Sequence, residues 1–304
     1  MQPSLSGKPR ILVIVGPTAS GKSDLAVELA HQFNGEVISA DSRQVYRGMN
    51  IGTGKITKKE MRGIPHHLLD VASPRSRFSV ARYRTMARKV IQDILQRGKL
   101  PIVCGGTGFY IDAVLYDYEL PSVKADSTLR KKLSSWTVQK LFTELKKRDP
   151  QRASNIDAKN PVRLIRALEI VMKSGKPSPA AESALKKESP FEIIAVGINP
   201  APEILRKRIR LRLLKRMRTG MVAEARTLVK SGVSHARLEK FGLEYRYLSR
   251  YLRGILNKAE MLAQLELEIW HYAKRQMTWF KRNKNIIWCK NPQTAKRAVI
   301  KLLK

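Results

Sequence analysis

The 304-residue sequence contains little cysteine, few acidic residues and no long apolar run. Its two cysteines, Cys104 and Cys289, are too few for a disulfide framework or for a zinc site with four cysteine ligands. Each lies beside apolar residues, which is typical of a buried free thiol. No apolar run reaches the roughly 18 residues of a membrane-spanning helix, and residues 1–10 lack the apolar segment of a signal peptide. These absences predict a cytoplasmic protein.

The shortage of acidic residues leaves a strongly basic chain. Lysine and arginine number 59 against 25 aspartate and glutamate residues, a formal charge of +34. Residues 201–304 alone contain 26 basic and 7 acidic side chains. Such a concentrated excess favours a polyanionic partner such as a nucleic acid. A membrane surface explains it less well, because the basic segments are not accompanied by a clear stripe of large apolar residues.

One segment organises the rest of the chain. Residues 11–15 are apolar and predict a buried strand, residues 16–23 fit the pattern G-x-x-x-x-G-K-S, and residues 24–32 have helical spacing. A strand, a glycine-rich turn and a helix start together form an anion cradle, in which backbone N–H groups and the helix dipole bind phosphate oxygens. The predicted cradle residues are Gly16, Pro17, Thr18, Ala19, Ser20, Gly21, Lys22 and Ser23.

Two further strand ends are predicted to face the same crevice. A short strand over residues 36–40 ends at Asp41, and another over residues 100–104 ends at a second glycine-rich turn that contains Thr107. The Asp41 carboxylate could bind Mg²⁺ through water, cap the following turn or act as a general base. The second turn lacks the acidic residue of a Walker-B strand, which argues against an ordinary ATPase.

The pattern changes in the middle of the chain. Residues 120–190 are charged and helical, with helices predicted over 127–148 and 162–173, and they indicate an inserted helical subdomain. We therefore predict an α/β fold in which a P-loop NTPase-like parallel sheet is flanked by helices and carries an inserted all-helical subdomain. The catalytic core comprises residues 1–119 and 191–304.

Six stretches, taken together and in order, resemble a single family. They are GPTASGKS at 16–23, ISADSRQVYRGMNIGT at 38–53, GIPHHLLD at 63–70, GGTGFY at 105–110, NPVRLIRALEI at 160–170 and AKRQMTWFKR at 273–282. The combination resembles the tRNA dimethylallyltransferases, also called tRNA isopentenylpyrophosphate transferases, of the bacterial type. The resemblance implies transfer of a dimethylallyl group from dimethylallyl diphosphate to N6 of adenosine 37 in tRNA, with release of diphosphate.

The resemblance implies a role for the cradle other than ATP binding. Residues 16–23 would hold the diphosphate leaving group, with Lys22 and an Mg²⁺ ion on Ser23 offsetting the charge that develops as the carbon–oxygen bond breaks. Arg208 and Arg212, one turn apart on a predicted basic helix, resemble the arginine pair that approaches the diphosphate.

The resemblance also implies catalytic and tRNA-binding positions. Asp41 would take the proton of the N6 amine, and Thr107 would contact the reacting region. The protein would act as a monomer on the anticodon stem-loop, with the inserted helices gripping the stem. The implied tRNA-binding residues are Asp41, Ser42, Arg43, Gln44, Thr107, Val162, Arg163, Leu164, Ile165, Arg166, Lys274, Arg275 and Gln276. Trp279 is a candidate for base stacking, although core packing suits it better.

Some features depart from the family pattern, and other functions compete. Glu244 stands where the family usually has glycine, and Ile269 and Trp270 replace a usual Thr-Arg pair. The main alternative is a P-loop kinase of a nucleotide or small metabolite, which ATP should stabilise where a transferase responds to dimethylallyl diphosphate. A non-catalytic RNA-binding protein and a transferase acting on free AMP are further alternatives.

Overall fold

A computed structural model describes residues 7–117, 121, 123–178 and 188–303. The chain divides into two units: Tyr116–Glu188 forms one, and Met1–Leu115 with Ser189–Lys304 forms the other. The boundary predicted at 119–120 falls outside the described residues, and the one predicted at 190–191 lies two residues from the observed division. Among the described helices, none has the length and apolar character needed to cross a bilayer.

A six-stranded sheet forms the centre of the larger unit. Its strands are β1 (Arg10–Val15), β2 (Gly35–Ser39), β3 (His66–His67), β4 (Leu100–Gly105), β5 (Glu192–Ile198) and β6 (Ile287–Cys289). They lie in the order β3-β2-β4-β1-β5-β6, and all pairs are parallel. The order reverses beside β1, so the carboxyl ends of β1, β2 and β4 border one crevice. This arrangement confirms the predicted α/β class.

The first half of this unit contributes four helices. They are α1 (Lys22–Gln32), α2 (Lys58–Met61), α3 (Val80–Gln96) and α4 (Gly108–Leu115). The Ser79 side chain accepts a hydrogen bond from the backbone N–H of Arg82 and so caps α3, and Gly98 follows the helix end with a φ of 68°. The edge strand β3 was not predicted, because two residues are too short to show a period.

The smaller unit is helical in its described part. Its helices are α5 (Ser127–Ser134), α6 (Val138–Arg148), α7 (Pro150–Ser154) and α8 (Pro161–Ser174). The prediction of one continuous helix over 127–148 is wrong. The chain leaves the helix after Ser134, and the Thr137 side chain accepts a hydrogen bond from the N–H of Lys140, which starts a new helix. Leu133, Leu141 and Leu168 form the buried centre of this unit.

The rest of the larger unit is mainly helical. Its helices are α9 (Pro202–Arg218), α10 (Met221–Lys230), α11 (His235–Phe241), α12 (Leu243–Leu252), α13 (Lys258–Phe280) and α14 (Pro292–Leu303). Helices α1 and α14 pack on one face of the sheet, where Leu12, Ile14, Leu29 and Val299 are buried together. The core therefore fixes the start of α1 against the end of β1.

A buried carboxylate ties the strands β2, β3 and β4 together. The Glu36 side chain is 1% exposed and accepts hydrogen bonds from both terminal nitrogens of Arg97 and from Lys99 Nζ at 2.7 Å, and its Oε2 lies 2.8 Å from His67 Nε2. Hydrogen bonding to Arg97 is the largest cause that holds the pKa of Glu36 far below its ordinary value, while burial opposes it. The carboxylate is therefore charged in the folded protein.

Replacing this carboxylate tests its contribution to stability. Glu36→Gln keeps the size of the side chain but removes the charge, and we expect the free energy of unfolding to fall by roughly 1.5–3 kcal/mol. Urea unfolding followed by circular dichroism measures the change. Asp93→Asn removes an exposed carboxylate bound to the same Arg97 and should cost less than about 0.5 kcal/mol. Equal losses in both variants would contradict a special role for the buried group.

Candidate active site

The loop between β1 and α1 has the geometry of an anion cradle. Gly16 has a φ of 153°, and a Cβ there would lie 2.8 Å from the carbonyl oxygen of Ile198, so only glycine fits. Gly21, with a φ of 92°, precedes α1 and supplies no side-chain cap. The first N–H groups of an 11-residue helix are thus left open to an anion at the end of β1.

Lys22 and Arg212 are among the cations that line the cavity in front of this loop. Lys22 Nζ donates a hydrogen bond to the carbonyl oxygen of Pro17 at 3.1 Å, and burial is the largest cause that lowers the pKa of Lys22. Arg212 makes no hydrogen bond or ion pair with the part of the chain that the structure describes. Arg208 Nη1 lies 3.5 Å from the carbonyl oxygen of Ser20, and its side chain is not among those that line this cavity. Of the two predicted arginines, Arg212 therefore lines the cavity and Arg208 does not.

Asp41 follows β2 and forms a tight turn. Its Oδ1 accepts hydrogen bonds from the backbone N–H groups of Arg43 at 2.8 Å and of Gln44 at 3.3 Å. The capping role considered for Asp41 is therefore observed. Its Oδ2 accepts no hydrogen bond from the described residues. Thr107 Oγ1 accepts a hydrogen bond from the N–H of Ser42 at 3.0 Å, which joins the turns after β2 and β4.

The cradle and Asp41 open into one cavity. Strands β1, β2 and β4 bring their carboxyl ends to it, and residues of α9, α12 and α13 and of the loop over residues 53–56 line its other sides. Polar and charged groups that line it include Thr18, Lys22, Ser23, Asp41, Arg43, Gln44, Arg212, Arg216, Glu244, Tyr272 and Gln276. A phosphate chain in the cradle and a group that approaches Asp41 would therefore share one space.

The second glycine-rich turn is shaped by close packing. A Cβ on Gly106 would lie 2.1 Å from Gln276 Nε2, and a Cβ on Gly108 would lie 2.0 Å from Cδ1 of Trp279. Both contacts are closer than any side chain allows. Helix α13 presses directly on this turn, and the glycines are needed for that approach rather than for phosphate binding.

The predicted tRNA-binding residues of the smaller unit differ in accessibility. Val162 is 75% exposed, and the exposed Arg163 side chain makes no hydrogen bond or ion pair within the described ranges. Arg166 donates to Glu169 Oε2 at 2.5 Å, and that carboxylate also binds Arg130. Two of the three apolar members face inward: Leu164, which is fully buried, and Ile165, which packs against the same core. The side chain of Leu164 therefore belongs to the core of this unit, and its contact with tRNA stays a prediction.

The corresponding residues of the larger unit also differ in accessibility. Lys274 and Arg275 are exposed on α13. The Arg43 guanidinium lies 5.9 Å from the centre of the Phe241 ring, and Gln44 contacts the carbonyl oxygens of residues 53 and 54 at 3.5 Å. Gln276 is 6% exposed, and both ends of its amide bind backbone groups of the protein. Gln276 is therefore held by the protein itself, and its contact with tRNA stays a prediction.

Tyr272 is a cavity residue that the motifs did not indicate. Burial is the largest cause that raises the pKa of Tyr272, and the nearby Asp41 carboxylate adds to the shift. Tyr272 lies four residues before Gln276 and so on the same face of α13. Helical spacing from a motif residue could have identified it.

Glu224 and Arg216, which the sequence motifs did not indicate either, hold the loop over residues 50–54. Glu224 accepts hydrogen bonds from the N–H groups of residues 50, 51 and 52 at 2.6–2.9 Å. From the other side, Arg216 Nη1 donates to the carbonyl oxygen of Gly52 at 2.8 Å and to Glu244 Oε1 at 2.9 Å. Glu244 is the residue that replaces the usual glycine. This departure from the family pattern therefore supplies the ion partner of Arg216 at the cavity wall.

Trp279 packs inside the unit and does not form an open stacking surface. Its Nε1 donates to Asp112 Oδ2 at 2.9 Å, which joins α13 to α4, and Arg282 Nη2 lies 3.5 Å from the same oxygen. The core-packing role considered for Trp279 is therefore observed. Asp112 is 6% exposed, and this burial raises its pKa to about 6, against the hydrogen bond from Trp279.

The parallel sheet, the open helix start and the cation-lined cavity define an α/β protein of the P-loop type. The family model for IPP transferase matches residues 44–283. The tRNA dimethylallyltransferases of Pelotomaculum thermopropionicum and Acetivibrio thermocellus are each 41% identical to this chain, over 93% and 97% of its length and 91% and 96% of theirs. The chain belongs to the IPP transferase family, which confirms the resemblance found in the sequence.

Solved structures agree with this assignment. The full-length tRNA isopentenylpyrophosphate transferase of Bacillus halodurans is 36% identical, with a TM-score of 0.73 over 97% of this chain and 96% of that one. A eukaryotic dimethylallyltransferase acting on tRNA is 28% identical, with a TM-score of 0.74 over 89% of this chain and 69% of that one. The similarity therefore extends across both units of the chain.

The raised pKa of Asp112 predicts a pH-dependent stability. Between its ordinary value of 3.8 and the folded value of about 6, the folded protein holds a proton that the unfolded chain releases, so this group makes stability fall as pH rises through that window. Asp112→Asn should remove the effect and gain up to about 3 kcal/mol relative to the wild type between pH 4 and pH 7. Urea unfolding at both pH values measures it. The exposed control Asp24→Asn should keep the wild-type change in stability between pH 4 and pH 7. The same wild-type change in Asp112→Asn would contradict the raised pKa of Asp112.

Proposed function

We propose that this chain is a tRNA dimethylallyltransferase. It transfers a dimethylallyl group from dimethylallyl diphosphate to N6 of adenosine 37 of tRNA and releases diphosphate. The observation that carries the proposal is the single cavity shared by the anion cradle and the Asp41 carboxylate. A transfer reaction needs this arrangement, because the leaving group and the attacking amine must meet at the same carbon.

The cradle suits the diphosphate of the donor. The open N–H groups at the start of α1, together with Lys22 and Arg212, surround the position of a phosphate chain. Negative charge develops on the leaving oxygen as the carbon–oxygen bond breaks, and fixed N–H groups and cations in this cavity stabilise it. These groups therefore bind the transition state more tightly than the intact donor.

The hydroxyl of Ser23 suits one ligand of a magnesium ion. Ser23 lies at the start of α1 and lines the cavity, and hydroxyl and phosphate oxygens are ligands that Mg²⁺ prefers. The described residues include no cluster of three or more histidine, cysteine or acidic side chains able to bind a metal. The remaining ligands would thus be diphosphate oxygens and water, and a bound ion would offset the charge on the leaving group.

Asp41 suits the base for the acceptor amine. The exocyclic amine of adenine is a weak nucleophile, so a positioned proton acceptor assists its attack. The turn fixes Asp41 Oδ1 through two backbone N–H groups and leaves Oδ2 to accept the amine proton. As the nitrogen–carbon bond forms and the carbon–oxygen bond breaks, the N6 proton passes to this carboxylate. Thr107, whose hydroxyl oxygen accepts a hydrogen bond from the N–H of Ser42, holds the adjacent turn.

Basic residues of both units suit the tRNA. Adenosine 37 must leave the anticodon stack to enter the cavity, which requires the surrounding loop and stem to be held. The exposed side chains of Arg163, Lys274 and Arg275 are placed to contact phosphates, and residues 201–304 supply a large positive excess. The inserted helical unit serves as the tRNA-binding subdomain in this proposal.

A single assay tests the proposed function. Incubation with tRNA and labelled dimethylallyl diphosphate, followed by mass analysis of the nucleosides, should give a dimethylallyl adenosine at position 37. Dimethylallyl diphosphate should also raise the melting temperature more than ATP does. Stabilisation by ATP together with no transfer of label would favour a P-loop kinase and reject the proposal.

The base assignment predicts a specific loss. Asp41→Asn retains a carbonyl oxygen that accepts from the N–H groups of Arg43 and Gln44 but cannot take a proton. We expect kcat to fall by roughly 10²–10⁴-fold, with the Kd for tRNA little changed. Single-turnover transfer and filter binding measure the two quantities. Near-normal transfer by this variant would remove Asp41 from the mechanism, and Asp24→Asn serves as the matched control.

The tRNA-binding role of the smaller unit also has a direct test. Arg163→Ala should weaken tRNA binding and reduce the slope of log Kd against log salt concentration by about 1, because one phosphate contact is lost. Filter binding over a range of salt concentrations measures the slope. Arg148→Ala removes a side chain that Glu144 already neutralises and should change the slope less. Identical slopes for wild type and Arg163→Ala would contradict the contact.

A further inference from the structure

Gln276 connects two loops that lie on opposite sides of the proposed reaction. Its Oε1 accepts a hydrogen bond from the N–H of Thr18 in the phosphate loop at 2.9 Å. Its Nε2 donates to the carbonyl oxygen of Gly106 in the turn after β4 at 2.8 Å. The side chain is 6% exposed, so water does not compete freely for either bond. One buried amide thus bridges the ends of β1 and β4.

The two loops are shaped to receive this amide. A Cβ on Gly106 would lie 2.1 Å from Gln276 Nε2, so the turn can approach the amide only because it has no side chain there. Thr18 provides a donor and Gly106 an acceptor, and a primary amide is the side-chain group that satisfies both at once. Loss of the amide would leave two backbone groups without partners.

The bridge continues from the phosphate loop towards Asp41. Gly106 precedes Thr107, whose hydroxyl oxygen accepts from the N–H of Ser42, the residue after Asp41. The phosphate loop, Gln276, the turn after β4 and the Asp41 turn therefore form one connected series of hydrogen bonds. This series sets the separation between the cradle and the carboxylate.

We propose that Gln276 is a positioning residue that holds the phosphate loop in register with the Asp41 turn, and that it makes no contact with RNA. The inference rests on the proposed function, since the two loops bind donor and acceptor only in that reaction. Its neighbours Lys274 and Arg275 are exposed, whereas Gln276 faces the cavity. A shift of about 1 Å between reacting groups is enough to lower a rate by roughly 10²-fold.

The variant Gln276→Glu tests the bridge because it keeps one of the two hydrogen bonds and removes the other. Above the pKa of the new carboxyl group, the carboxylate still accepts from Thr18 but has no proton for Gly106, and its charge lies beside the proposed diphosphate site. We expect kcat to fall by roughly 10²-fold and the KM for dimethylallyl diphosphate to rise, while the Kd for tRNA stays within about twofold. When pH is lowered, the protonated side chain regains a donor, so the ratio of variant to wild-type kcat should increase.

Two controls distinguish this role from the alternatives. Gln264→Glu makes the same chemical change at an exposed position of α13 and should leave both kcat and the pH profile unchanged. Arg275→Ala should raise the Kd for tRNA and leave the KM for dimethylallyl diphosphate unchanged. Gly106→Ala forces the amide away from the turn and should reproduce the kinetic loss of Gln276→Glu. Melting temperatures of all variants show whether each is folded at the assay temperature.

The outcomes are separable. Normal kcat and donor KM in Gln276→Glu, or a flat pH ratio, would overturn the positioning role. A raised Kd for tRNA with normal donor kinetics would instead make Gln276 an RNA contact and also overturn it. Absence of transfer by the wild type under the same conditions would reject the proposed function itself, independently of any variant.

Discussion

The open start of α1 at the carboxyl edge of a parallel sheet is the constraint on which the site depends. Its N–H groups receive no side-chain cap, and Lys22 and Arg212 add positive charge to the cavity in front of them. Such unpaired N–H donors and cations find hydrogen-bond and charge partners in an anion with several oxygens. The tight packing of β1, α1 and α14 fixes the direction of the helix, so the anion site has one position in the fold.

The loops around this cavity are held mainly by side chains from the second half of the chain. Gln276 binds the phosphate loop and the turn after β4, Glu224 binds three N–H groups of the loop over residues 50–54, and Arg216 binds a carbonyl oxygen of the same loop. Loops carry few apolar contacts of their own and need such partners to hold one conformation. The substitution of Glu244 for a usual glycine fits this scheme, because it neutralises Arg216.

In the inserted unit, the side chains of the basic motif over residues 162–166 differ in burial. Within one stretch of α8, Arg166 is bound to the buried Glu169, Leu164 fills the core, and only Val162 and Arg163 project outward. A helix presents successive side chains in different directions, so a contiguous motif cannot have one function at every position. The positive charge available to a polyanion is consequently smaller than the count of arginines suggests.

Sequence alone determined the features whose signals are local: the strand, glycine turn and helix start of the cradle, and the apolar strands that predict a parallel sheet. The motifs also identified the family and placed Asp41 beside the cradle. Tertiary structure decided that Gln276 is enclosed, that Tyr272 reaches the cavity, that the 127–148 segment breaks at Thr137 and that β3 forms beside β2. The partners of Gln276 lie 170 and 258 residues away, and contacts over such separations leave no periodic pattern in the chain.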